Sequence, residues 1–147
     1  MPGINSIRQK LIEARRIILV IVGWGTILSS LAMTGILQGV IVPNDPQAGV
    51  KLATPGTLLY FVGVLVICLM AGLLVKNIGI SLVAFLAAYA LGVLLSAVAL
   101  SLPGVFGYIP SGTAQHLALV YVFTAFFPIT LFLGFVGSII GAAVRDI

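Results

Sequence analysis

The chain has 147 residues, of which 61% are hydrophobic and only 7% charged, with a mean hydropathy of +1.30 and a net charge of +4. Soluble domains carry about a quarter charged residues and just under half apolar ones, so this composition excludes a water-soluble globule. One cysteine cannot close an intrachain disulfide, and one histidine with three carboxylates (Glu13, Asp45, Asp146) leaves few groups to bind a metal or move a proton.

The first 16 residues form a basic amphipathic segment expected on the cytoplasmic side. Ser6 and Gln9 make a capping-box pattern, after which Ile4, Ile7 and Leu11 share a face that Arg8, Lys10 and Arg15 avoid. Such a segment either rests as a short helix on an anionic leaflet or extends the first span. The second reading needs nothing beyond a topology signal.

Four uncharged stretches follow: 17–42, 57–75, 78–102 and 117–144, of 26, 19, 25 and 28 residues. A hydrocarbon core of about 30 Å needs ~20 apolar residues, so each is long enough to cross once. The expected fold is an all-α integral membrane protein: one domain over 1–147, with four transmembrane helices arranged as two helical hairpins. The 26-residue first run is too long for the h-region of a cleaved signal peptide, so processing is not expected.

The connections are read from their turn residues. Pro43, Asn44, Asp45 and Pro46 end the first span, and Thr54, Pro55, Gly56 and Thr57 launch the second, with Thr57 as its N-cap. Only Lys76 and Asn77 separate the second and third spans, which predicts a tight hairpin there. The connection 103–116 is uncharged and rich in glycine and proline. Arg8, Lys10, Arg15, Arg16, Lys76 and Arg145 fall on one side and Lys51 on the other, placing both termini in the cytoplasm, in the cell membrane. A Pro-Gly-Thr at 55–57 and Pro-Ser-Gly-Thr at 110–113 hint at duplication of a two-helix unit.

Small residues allow helices to approach within lipid. The third span carries the ladder Ala84, Ala88, Gly92 and Ser96. The fourth carries Gly134, Ser138 and Ala142, with Gly137 and Gly141 beside them. In the first, Thr26, Ser30 and Thr34 form one row and Gly35 and Gly39 another. These stripes pack the bundle together, and the surplus rows are available for another chain. Pro128 cannot donate to the carbonyl of Thr124, so the fourth helix should bend there, with the Thr124 and Thr130 hydroxyls covering freed polarity.

Chemistry is sparse. His116 stands alone at the outer mouth of the fourth span, next to Gln115 and near Tyr108 or Tyr60; it reads as a solvated boundary residue. Cys68 reads as a small hydrophobe. No nucleotide loop, nucleophile elbow, His-Glu-x-x-His or Cys-x-x-Cys occurs, so no catalytic, cofactor or metal site and no nucleic-acid partner is expected. No span contains an ionisable Asp, Glu, Lys, Arg or His side chain of the kind that ion-coupled carriers use.

The expected role is therefore that of a non-catalytic accessory subunit in a larger integral-membrane complex, such as a respiratory, glycosyl-transferring or translocation assembly. It would pack against partner helices and hold membrane lipids. The alternatives are a homo-oligomeric channel or carrier for an uncharged solute or small ion, and a self-assembling structural protein.

Overall fold

The structure, a computed structural model, describes residues 4–43, 55–75 and 77–145. It is all-helical there: α1 (Ile4–Leu37), α2 (Pro55–Leu74), α3 (Ile78–Val105), α4 (Ser111–Phe126) and α5 (Ile129–Arg145), with no strand among the described residues. Three helices are long and apolar enough to cross a membrane, and α4 with α5, bent by 44° at a short break, make a fourth candidate.

The N-terminal segment takes the second of its two readings, an extension of the first span. It is not a separate helix; its backbone runs without interruption into α1, a rod of about 51 Å for 34 residues. No proline or glycine interrupts the described stretch before Gly23, so the hydrogen-bond ladder has no reason to stop. The side chains of Arg8 and Lys10, and all of Lys76, lie outside the described residues, as do Asn44, Asp45, Pro46, Lys51 and Thr54.

Helix α1 ends at Leu37 rather than continuing to Val42. Gly39 adopts φ +67°, the Gly39 N–H donates to Ile36 O and the Val40 N–H to Gly35 O, which closes the helix with a left-handed glycine. Gly39 therefore stops a helix instead of packing one: space around it is open, whereas Gly35 faces Ile41 and Tyr60. The same motif ends α3, with Gly107 at φ +75° and the Tyr108 N–H donating to Pro103 O. Pro43 follows the first of these glycines and Pro103 precedes the second, so the two prolines play different parts.

Asn77 caps α3, its Oδ1 accepting from the N–H groups of Gly79 and Ile80 at 2.8 and 3.4 Å. Three residues, 75–77, separate α2 from α3, and the helices they join find different partners. Helix α2 packs chiefly along α5, α1 along α3, and α3 along α4, while α2 and α3 scarcely touch beyond their turn. The second and third spans, expected as a tight hairpin, are thus consecutive in sequence without packing along each other.

Backbone approach explains these pairings. Between α2 and α5, a Cβ at Gly72 would come within 2.6 Å of Ser138 O, one at Gly137 within 3.0 Å of Leu65 O, and one at Gly141 would overlap the Leu69 carbonyl. Between α1 and α3, a Cβ at Gly25 would lie 2.8 Å from Ala88 O, and Gly92 faces Gly25 O. Ser29 and Ser96 join the same pair by a buried hydroxyl–hydroxyl bond of 2.9 Å. Gly134 leaves room for the ring of Phe85, which stacks at an angle on Trp24 and Tyr89 in the core.

Candidate functional site

Besides the Ser29–Ser96 pair, polar contacts between helices gather in two places, the break between α4 and α5 and the end where α2 terminates. At the break, Pro128 has no N–H and the helical ladder restarts with Phe132 donating to Pro128 O. The carbonyls of Ala125 and Phe126 are left without their regular helical donors. Tyr60 Oη, from α2, donates to Ala125 O at 3.0 Å; Thr130 Oγ1 donates to the same oxygen at 2.6 Å. Tyr89 Oη, from α3, donates to Phe126 O. Four helices thus meet at one interruption: α2, α3 and α5 each donate a hydrogen bond, and α4 accepts them.

The bend falls at Pro128. Thr130 covers freed polarity, but on Ala125 O; Thr124 does not take part, donating instead to Val120 O at 2.8 Å. The decisive tyrosines were not legible as partners because they come from residues 65 and 37 positions away.

Beside the break, an open groove of about 670 Å³ runs between α3 and α4, lined by Tyr89, Phe123, Phe126 and Phe127 with His116 among its lining residues. His116 is exposed and shares this groove with Tyr89 rather than with Tyr60 or Tyr108. No group of three or more His, Cys, Asp or Glu side chains gathers among the described residues. The Trp24 N–H is buried beside the Cys68 sulfur, a weak acceptor, with no oxygen acceptor among the described residues.

At the other place, two guanidinium groups converge on the end of α2. Arg16 Nη2 donates to Leu74 O at 3.2 Å, and Arg145 Nη1 to Leu73 O at 2.7 Å. These carbonyls lack helical donors and carry the negative end of the helix dipole, which cations stabilise. Arg15 is exposed nearby on α1. Two residues read as topology markers therefore also tie α1 and α5 to α2.

The packing candidates divide cleanly. Ala84, Ala88, Gly92 and Ser96 are buried along one face of α3, and Gly134, Gly137, Ser138 and Gly141 are buried on α5. Gly35 is buried on α1. The row Thr26, Ser30 and Thr34 faces outward, each hydroxyl returning to its own helix at Val22 O, Thr26 O and Ser30 O. The row used inside is one residue earlier, Gly25 and Ser29. A search of protein-family models, of curated proteins and of solved structures finds no match to this chain.

Proposed function

We propose that this protein is a multi-pass membrane protein with four spans in two consecutive pairs, α1 with α2 and α3 with bent α4–α5, and with both termini in the cytoplasm. The outer surface supports a lipid setting: Leu59, Val83, Leu119 and Phe132 are each about two-thirds exposed or more, whereas soluble monomers rarely present contiguous apolar surface of this kind. Hydroxyls at the helix break meet carbonyls within the bundle, as backbone surrounded by hydrocarbon requires.

Within that setting its role is that of a non-catalytic accessory subunit, positioning the helices of a larger integral-membrane assembly. The observation that carries this reading is the outward row Thr26, Ser30 and Thr34: a narrow, self-satisfied stripe that internal packing leaves uncovered and that suits close approach by another helix. The core supports it over a pore within one copy, because Trp24, Phe85 and Phe126 fill the interior.

The test is mild-detergent extraction of the tagged chain from its native membrane. Other integral-membrane polypeptides should co-purify at fixed ratio, and Leu at positions 26, 30 and 34 together should release them without changing the thermal unfolding of the chain itself. Recovery of the chain alone, together with solute flux in liposomes containing nothing else, would sink the accessory role.

A further inference from the structure

Between α1 and α2 lies an open apolar groove of about 550 Å³, within the range of pockets that hold small ligands. It runs from Arg16 to Ile27 on α1 and is walled on α2 by residues from Val66 to Leu74. Eleven residues of helix rise about 16 Å, close to half of a ~30 Å hydrocarbon core, so the groove has the depth of one leaflet. Its floor is open at Gly23, where an added Cβ would meet no atom within 4 Å. Glycine there has no packing reason, and in water it lowers helix stability relative to alanine by about 0.5–1 kcal/mol.

One end of the groove is charged and the rest is not. Arg16 lines that end, spending one of its five N–H donors on Leu74 O. Arg15 and Arg145 share this end of the bundle, and among the described residues Glu13, in the adjoining small cavity, is the one carboxylate there. An apolar slot one leaflet deep, with a guanidinium fork at its mouth, matches one acyl chain of a lipid whose head is an anionic phosphate.

We propose that this groove seats an anionic phospholipid, one of its acyl chains over Gly23 and its phosphate on Arg16. This rests on the membrane reading above, and the sole tryptophan, Trp24, lines the groove and reports on both. The full chain is reconstituted in phosphatidylcholine vesicles containing either phosphatidylglycerol or phosphatidylcholine with brominated acyl chains. Quenching of Trp24 should show an apparent preference of about fivefold for the anionic lipid, the ratio equivalent to about 1 kcal/mol for one basic residue at an anionic surface. Arg16→Gln should abolish that preference while leaving quenching by brominated phosphatidylcholine in place. Arg145→Gln, which removes the companion bond to α2 without touching the groove, should retain it. Gly23→Leu should lower quenching by both lipids. Equal quenching by the two lipids in the wild-type chain would overturn the seat alone; absence of quenching by either would overturn the membrane reading as well.

Discussion

Tyr60 and Tyr89 both donate to carbonyls at the break, yet their removal should have unequal effects. Ala125 O keeps Thr130 when Tyr60 becomes Phe, whereas Phe126 O loses the hydroxyl described on it when Tyr89 does. Hydrogen bonds between membrane helices average about 0.6 kcal/mol, and a stranded buried acceptor adds roughly 1–3 kcal/mol. Tyr60→Phe should therefore cost about 0.5 kcal/mol and Tyr89→Phe about 1–2 kcal/mol, read as shifts in an SDS unfolding titration followed by Trp24 fluorescence. The same titration tests the glycine seam. Gly141→Ala forces a methyl onto the Leu69 carbonyl and should destabilise by about 1–3 kcal/mol. Gly112→Ala meets open space and should stay within ~0.5 kcal/mol. These distinctions mark what single positions disclose in sequence. A period of four was enough to find Ala84, Ala88, Gly92 and Ser96, but on α1 it offered two rows, of which Gly35 lies inside while Thr26, Ser30 and Thr34 lie about 100° from the packed Gly25 and Ser29. Which stripe turns inward is decided by the partner's surface, and Gly39 satisfied the spacing while serving a turn.

At the level of helices, the arginines that close α2 make a local forecast. Removing a cation from a helix C-terminus forfeits about 0.3–1 kcal/mol, concentrated in the last turn. With Arg16 and Arg145 both changed to Gln, amide hydrogen exchange at residues 71–75 should quicken severalfold, while exchange near Tyr60 at the other end of α2 stays unchanged. Uniform acceleration along α2 would mean that the guanidinium groups hold the whole helix in place. The helices themselves were legible because uncharged length and turn residues are local properties, and Pro128 marked its own bend. Their pairing was not. A three-residue connection between α2 and α3 suggests neighbours, but Gly72, Gly137 and Gly141 permit α2 to approach α5 more closely. Steric fit between distant segments outweighs adjacency along the chain.

For the molecule as a whole, the proposed orientation follows from which ends share a side. Arg16, Arg145 and the α2–α3 turn gather at one end of the bundle, with the α3–α4 connection at the other. In a Cys68→Ala background, a membrane-impermeant maleimide applied to intact cells should label Tyr108→Cys, and should reach Gln9→Cys only after permeabilisation. The reverse pattern would invert the topology without altering the fold.

Because α2 finds its main companion in α5, the two halves of that seam are separated in time as well as in sequence: Leu73 and Arg145 lie 72 positions apart. At about 5–20 residues per second, translation leaves α2 waiting roughly 4 to 14 seconds for the surface that covers it. During that interval the nascent chain leaves the α2 face of Leu65, Leu69 and Gly72 bare to whatever chaperone or protease patrols the insertion site. A product halted after Phe126 never escapes this interval, and pulse-chase labelling should find it cleared far sooner than the finished polypeptide.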